Sequence, residues 1–380
     1  MKKLIAFVLL TCMALCTVSL AESDYVYEMK YLYGTHFDCL WIENEPTFGE
    51  LVAFQSSSDF DLEAFINSAA GEQTAKNFYT YITFAKDEMN PSLVEYWARK
   101  GLDKVLYGGE NPDDLTDKYF VYCPTNPVDG EVFPLLFVNH GGSEPAYQAE
   151  TFGFCEIAAR ERIILVMAEN TSADNLRAIY EQVKADYPID ETRVYATGSS
   201  AGAAASKNLA AAYPEMLAAI APLDAAPGFG EGDEESRAKI SEIEMPMIFI
   251  VGTADKYNNH QLGASTWNPN TVVQWNQLLS MQGHDDYQVT PEQSRALIDD
   301  SLNIVEHLAG LRAENSYVRH YDNTRIYMNS FTNDEGLDNL VFVLVENKGH
   351  LPCGFDAEIA WEFLSRFSRD TETSELIINA

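Results

Sequence analysis

The sequence predicts an α/β fold with a mostly parallel central sheet and helices on both faces, and two observations lead to it. From about residue 116 onward, short apolar runs alternate with amphipathic helical patterns, as in parallel strands joined by helices. The chain has 380 residues, of which 46% are hydrophobic, so it can bury a large core. We expect strands at residues 119–122, 135–139, 163–167, 193–196, 218–223, 247–251 and 340–345.

Between these strands, the clearest helix is expected at residues 173–187, where apolar side chains recur every three or four positions. A long insertion, residues 256–339, precedes the last strand and contains two helical patterns, 271–281 and 291–311. It also contains a β-hairpin pattern formed by residues 316–321 and 325–331. Because an insertion at this point would lie over the C-terminal edge of the sheet, we interpret residues 257–330 as a cap.

Residues 1–21 have the pattern of a secretory signal peptide. Two lysines precede an apolar run, and the small residues Ser19 and Ala21 suit a cleavage site after Ala21. The apolar run is also near the lower length limit of a membrane anchor, which is the alternative to cleavage. We therefore expect a secreted protein with no stable membrane insertion after the signal is removed.

Residues 22–115 form an N-terminal extension of undecided structure. Tyrosines alternate along residues 25–33 as in a strand, and residues 59–74 have a helical pattern. The extension supplies either extra antiparallel strands at the sheet edge or a small subdomain. The cluster Asn111-Pro112-Asp113-Asp114 marks its boundary with the main α/β domain, residues 116–370.

The composition excludes some classes of partner. The net charge of −33 argues against binding to nucleic acid or to anionic membranes, and we interpret it as promoting solubility. Four cysteines remain after signal removal, and outside the cell they could form disulfides in three connectivities. Their spacing does not match a zinc site. The oligomeric state is not predicted. The four cysteines are Cys39, Cys123, Cys155 and Cys353.

The strongest chemical signal is the G-x-S-x-G motif at residues 198–202, placed between a predicted strand and an alanine-rich helix. A turn this sharp forces an unfavourable backbone at Ser200, and the glycines on either side remove side chains that would collide. The turn raises the serine hydroxyl above the sheet and directs the helix N-terminus at a developing oxyanion. Ser200 is therefore the candidate nucleophile, and the neighbouring Ser199 is interpreted as a small spacer.

A serine nucleophile needs a base and an acid. His350 lies on a loop after the last strong strand, a position that suits the base in the chain order Ser, acid, His. Asp255 ends a buried strand pattern and is the best acid, with Asp224 second and Asp322 third. The alternative is that Asp255 only forms a turn. The remaining histidines are expected at surface or packing positions: His36, His260, His284, His307 and His320.

Acyl transfer also needs hydrogen-bond donors for the oxyanion. A predicted strand leads into His140-Gly141-Gly142-Ser143, which resembles the loop that contributes a backbone N–H in esterases. We expect the oxyanion hole to be formed by the N–H of Ala201 and by that of Gly142 or Ser143. The ring of His140 is expected to brace this loop.

The motifs at residues 139–142, 189–203, 252–255 and 349–350 resemble the polyhydroxybutyrate depolymerase and feruloyl esterase branch of the α/β-hydrolases. This resemblance implies an α/β-hydrolase fold, a triad of Ser200, Asp255 and His350, and no metal or organic cofactor. It implies hydrolysis of a small-molecule or polymer ester, either a polyhydroxyalkanoate or the feruloyl or acetyl esters of plant polysaccharide. Two alternatives stay open: a secreted serine peptidase of the same fold, and a non-catalytic binding protein on a hydrolase scaffold.

Overall fold

The structure is a computed structural model. It describes residues 88–89, 91–110, 117–142, 144–229, 234–253, 255, 268–321, 324–346, 348–350, 352 and 354–379. The predicted signal peptide, the patterns at residues 25–33 and 59–74, the boundary cluster at residues 111–114, Ser143 and Asp322 lie outside the described residues.

A ten-stranded mixed sheet forms the centre of the described chain, in the order β1-β2-β4-β3-β5-β6-β7-β10-β9-β8. The middle strands are parallel, as predicted: β4 with β3, β3 with β5, β5 with β6, β6 with β7, and β7 with β10. The strands are β1 Leu102–Tyr107, β2 Tyr119–Pro124, β3 Phe133–Asn139, β4 Ile164–Ala168, β5 Ile189–Ser199, β6 Ala219–Leu223, β7 Met247–Gly252, β8 Asn315–Tyr321, β9 Thr324–Thr332 and β10 Asp338–Val345. A separate hairpin pairs β11 Phe367–Arg369 with β12 Leu376–Ile378.

Helices cover both faces of the sheet and bury two apolar cores. Alternate side chains of a strand point to opposite faces of the sheet and so lie in different cores. In β3, Leu136 and Val138 lie in one core, and Leu135 and Phe137 lie in the other. The helices are α1 Pro91–Lys100, α2 Phe154–Glu161, α3 Ala173–Asp186, α4 Ala201–Ala212, α5 Glu234–Glu242, α6 Pro269–Met281, α7 Pro291–Asp300, α8 Ile304–Ala309 and α9 Gly354–Leu364. The predicted α/β class is confirmed, and the strands expected from residue 119 onward are all present.

The insertion before β10 contains the expected helices and hairpin, with two differences. The single helix predicted at residues 291–311 is interrupted, since α7 ends at Asp300 and α8 begins at Ile304. The hairpin β8–β9 pairs with β10 and so extends the sheet. Helix α6 packs on a sheet face, where the Trp275 ring lies 5.4 Å from that of Phe342. The cap interpretation of residues 257–330 stays a prediction, and residues 256–267 lie outside the described chain.

The last part of the N-terminal extension belongs to the sheet. Strand β1 pairs antiparallel with β2, so residues 102–107 supply an extra edge strand, one of the two structures expected. The edge is held by a buried polar cluster, in which Lys104 of β1 contacts the carboxylate of Glu150. Trp97 of α1 donates from Nε1 to the other oxygen of that carboxylate at 2.8 Å. Trp97 and Leu102 therefore belong to one core together with residues of β2, β3 and β4.

Candidate active site

Ser200 occupies a strained turn between β5 and α4. Its backbone angles are φ 55° and ψ −108°, a region that a residue with a side chain rarely adopts. A backbone hydrogen bond fixes the turn to the neighbouring strand, because the Ser200 N–H donates to the carbonyl of Leu223 at the end of β6. Ser200 remains partly exposed, while Ser199 before it is buried. A strand, a strained serine and a helix in this order form the geometry of a nucleophile elbow.

The two glycines of the motif are required by the packing of this turn against β3. A Cβ placed on Gly202 would lie 2.1 Å from the carbonyl oxygen of Asn139, and one placed on Gly198 would lie 2.4 Å from the same atom. Real Cβ atoms do not approach other atoms so closely. The absence of side chains therefore lets the elbow sit directly against the end of β3.

The structure brings His350 and Asp255 together. His350 Nδ1 lies 2.8 Å from Asp255 Oδ2, and the Asp255 side chain is completely buried while 18% of the His350 side chain is exposed. A buried carboxylate at Nδ1 holds the ring with its hydrogen on that nitrogen, so Nε2 is the nitrogen that can accept a proton. The contact is the one expected if Asp255 is the acid and His350 the base, and these roles stay a prediction.

Burial and neighbouring charges act in opposite directions on the His350 imidazole. Burial lowers its pKa, but the hydrogen bond to Asp255 and the negative charges of Asp224 and Asp255 outweigh it, so the pKa is raised above 6.5. The positive charge of Lys348 has a smaller lowering effect. The net field at His350 therefore favours the imidazolium that forms when a base accepts a proton.

The loop after β3 lies against the start of α4. A Cβ placed on Gly142 would be in ordinary contact, 3.7 Å from the Cβ of Ala201, so the two candidate oxyanion donors are on adjacent segments. His140 braces this loop, as expected, because its ring nitrogens lie 2.7 Å from the Gly141 carbonyl and 3.2 Å from the Glu169 carbonyl.

Glu144 is a residue of this loop that sequence reasoning missed. Its Oε2 accepts a hydrogen bond of 3.0 Å from the Gly141 N–H. Burial raises its pKa to about 7, although that hydrogen bond and the charge of His350 lower it. The interaction with His350 indicates that the loop after β3 and the loop after β10 face the same space.

Asp224, the second choice for the acid, has another set of partners. Its side chain is fully buried, it lies 2.8 Å from Lys348 Nζ, and it accepts a hydrogen bond of 3.2 Å from Ser199 Oγ. Lys348 Nζ also lies 2.6 Å from Asp356 Oδ2 at the start of α9. Asp255, and not Asp224, is therefore the carboxylate paired with Nδ1 of His350. Nothing in the spacing of Lys348 or Asp356 marked them in the sequence.

The other described histidines lie in packing or surface positions, and His307 and His320 are exposed. His284 stacks near the ring of Phe331 at 5.2 Å, which fits the packing role expected for it. Cys123 and Cys155 are free thiols, so neither takes part in the disulfides that were considered. Cys39 and Cys353 lie outside the described residues.

Among the described residues, no helix combines the length and apolar character needed to cross a bilayer.

Comparisons with known proteins give partial similarities. No family model matches the chain. It is 27% identical over 149 residues to poly(3-hydroxyalkanoate) depolymerase C of Paucimonas lemoignei, which covers 33% of this chain and 35% of that protein. The chain thus matches about a third of the length of this relative. Among solved structures it is similar to an acetyl xylan esterase from Aspergillus awamori, at 16% identity and a TM-score of 0.44, over 70% of this chain and 98% of the other. A feruloyl esterase module from Clostridium thermocellum is 11% identical with a TM-score of 0.41, over 74% of this chain and 92% of the other.

The position of these residues on the sheet decides the fold. A strained serine follows a central parallel strand, and an aspartate and a histidine follow it in chain order at the same edge of the sheet. The chain has the α/β-hydrolase fold. The predicted resemblance to the depolymerase side of the depolymerase and feruloyl esterase branch is confirmed by the sequence similarity to the poly(3-hydroxyalkanoate) depolymerase.

Proposed function

We propose that this α/β-hydrolase is a secreted serine esterase in which Ser200, His350 and Asp255 form the catalytic triad. The observation that carries the proposal is the 2.8 Å contact of His350 Nδ1 with the buried Asp255 carboxylate, in a fold whose central elbow presents Ser200. The parallel strands β5, β7 and β10 end at one edge of the sheet, so the loops that follow them are expected to share a pocket.

The proposed reaction proceeds by two acyl transfers. Ser200 Oγ bonds to the ester carbonyl carbon as its proton passes to His350 Nε2, and the carbonyl oxygen becomes an oxyanion. The C–O bond to the alcohol then breaks, and the alcohol leaves with the proton from His350. Water attacks the acyl-enzyme in the same way, with His350 as base, and releases the acid and free Ser200.

Two parts of the chain support the charge changes in this reaction. The Asp255 carboxylate stabilises the imidazolium that forms on His350, consistent with the raised pKa of that ring. The N–H groups of Ala201 and of Gly142 or Ser143 are the proposed oxyanion donors, and the first two of these residues lie on adjoining segments. No metal or organic cofactor is needed for this chemistry.

For substrate, we propose carboxylic esters of a polymer or its fragments, either a polyhydroxyalkanoate or the feruloyl or acetyl esters of plant polysaccharide. The support is the similarity to a poly(3-hydroxyalkanoate) depolymerase together with the motifs shared with feruloyl esterases. Hydrolysis of a polyhydroxybutyrate suspension, methyl ferulate and p-nitrophenyl acetate, compared in parallel, separates these substrates. The matched amide p-nitroacetanilide tests the peptidase alternative.

A fluorophosphonate probe tests the nucleophile directly. Wild-type protein is expected to be labelled at Ser200, and Ser200→Ala to resist labelling. Ser199→Ala is the neighbouring control and is expected to be labelled still, because its hydroxyl is buried and directed at Asp224. His350→Gln removes the proposed base and is expected to be labelled much more slowly than wild type. His284→Gln is its control, since both rings are partly buried. If wild-type protein resists the probe as fully as Ser200→Ala does, the catalytic proposal is wrong and a binding protein becomes the better interpretation.

A further inference from the structure

A buried ion cluster joins the segments that carry the proposed nucleophile and base. It consists of Asp224, Lys348 and Asp356, and all three side chains have 0% exposure. Lys348 Nζ lies between the two carboxylates, at 2.8 Å from Asp224 and 2.6 Å from Asp356. Burying three charged groups is costly unless they are paired, so their geometry is strongly constrained.

One side of this cluster leads to the elbow. Ser199 Oγ donates to Asp224 Oδ2 at 3.2 Å, and Ser199 is the residue directly before Ser200. Asp224 itself has a positive φ of 51°, and its N–H donates to the carbonyl of Ile250 in β7. The residue before it, Leu223, accepts the hydrogen bond from the Ser200 N–H. The end of β6 is thus attached to the elbow through both a side chain and the backbone.

The other side of the cluster leads to the base. Lys348 lies two positions before His350, on the connection between β10 and α9. Its backbone packs tightly against the end of β7, because a Cβ on Gly252 would lie 2.1 Å from the Lys348 carbonyl oxygen. Gly252 in turn accepts the hydrogen bond from the Asp255 N–H at 3.2 Å. Asp356 ties the same lysine to the first turn of α9.

From this geometry we infer that Lys348 is a positioning residue, which acts with Asp224 and Asp356 to set the placement of His350 relative to the elbow that carries Ser200. The inference rests on the proposed function, since it assigns a role within that triad. The link is independent of the Asp255–His350 hydrogen bond, because it reaches the base loop through a different side chain. It also has an electrostatic component, since the charges of Asp224, Asp255 and Lys348 act on the pKa of His350. His350 in turn lowers the pKa of Glu144 in the loop after β3.

Two variants separate the effect of the cluster on the position of His350 from the effect of leaving buried charges unpaired. Lys348→Met removes the cation and leaves two buried carboxylates, whereas the neutral triple variant Asp224→Asn, Lys348→Met and Asp356→Asn leaves no buried charge unpaired. Lys104→Met is the matched control, because Lys104 is an equally buried lysine paired with Glu150 at the β1 edge. Wild-type protein and these three variants are titrated with a fluorophosphonate, so that each rate is expressed per folded active site.

For Lys348→Met we expect kcat to fall about 10- to 100-fold with KM changed little, since a displaced base affects the chemical step more than binding. In the neutral triple variant the acid limb of the kcat/KM pH profile should move to lower pH, because Asp224 raises the His350 pKa more than Lys348 lowers it. Lys104→Met should change neither kcat per folded site nor the position of that limb.

The outcomes that overturn the inference differ from those that overturn the proposed function. If wild-type protein is labelled at Ser200 but Lys348→Met matches Lys104→Met in kcat and in pH profile, the positioning role is refuted while the esterase proposal stands. If Lys348→Met does not fold, the triple variant decides, and a kcat per labelled site equal to that of Lys104→Met refutes the inference. If wild-type protein is not labelled at all, the triad and the positioning role are both wrong.

Discussion

A methyl group added at Gly202 tests how closely the elbow must lie against the loop that carries the oxyanion donors. In Gly202→Ala the new Cβ would lie 2.1 Å from the Asn139 carbonyl oxygen and 2.6 Å from the His140 carbonyl oxygen. Contacts below 3.0 Å are essentially never seen for a Cβ, so the elbow and the end of β3 must separate by at least about 0.9 Å. Both neighbours are backbone atoms, so rotation of a side chain cannot relieve the contact.

A separation of this size should lower the catalytic rate strongly. A misplacement of roughly 1 Å in a catalytic arrangement lowers the rate by about 100-fold, which corresponds to ~2.7 kcal/mol of transition-state stabilisation. Overpacking should also reduce the free energy of unfolding by about 1–3 kcal/mol. We therefore expect kcat on p-nitrophenyl acetate to fall about 100-fold in a protein that still folds but melts at a lower temperature.

The assay compares kcat per labelled site in wild-type protein, Gly202→Ala and the control Ala212→Ser. Ala212 is exposed at the end of the same helix, so the control adds one heavy atom to α4 without a close contact. Circular dichroism and thermal melting confirm that each variant is folded. If folded Gly202→Ala keeps kcat within about twofold of wild type, the close approach of the elbow to β3 does not limit catalysis and the geometric reasoning fails.

Three further predictions follow from the same site and from the sheet edge. In wild-type protein the acid limb of the kcat/KM pH profile should have its midpoint above pH 6.5, because the base must be neutral and the His350 pKa is raised. A pH series on p-nitrophenyl acetate checks this, and a midpoint below that value would contradict it. Asp255→Asn should lower kcat by about 10³- to 10⁴-fold and move the acid limb to lower pH, since the hydrogen bond and the negative charge at Nδ1 both favour the imidazolium. A kcat close to that of wild type would show that Asp255 is not part of the triad. Lys104→Met should lower the free energy of unfolding, measured in urea, by about 3–5 kcal/mol, because it leaves the buried Glu150 carboxylate without its cation. An unchanged midpoint of urea unfolding would show that the pair contributes little to stability.

Much of the site could be predicted from the sequence because its signals are local. The glycines at 198 and 202 are required by short-range contacts around Ser200, and the strand and helix that flank them have clear periodic patterns. The pairing of His350 with Asp255 followed from the positions of both residues at the ends of buried strands. In a parallel sheet such ends lie at one edge, so chain order and strand pattern suffice to bring the two residues together.

The tertiary structure alone decided the features that depend on partners from distant segments. Lys348 has no pattern that distinguishes it from a surface lysine until β6 and α9 place two carboxylates around it. The predicted helix at residues 291–311 divides between Asp300 and Ile304. The hairpin after it joins the sheet because its strand β9 pairs with β10. Periodicity reports which face of a segment is buried, but the identity of what covers that face is a property of the folded chain.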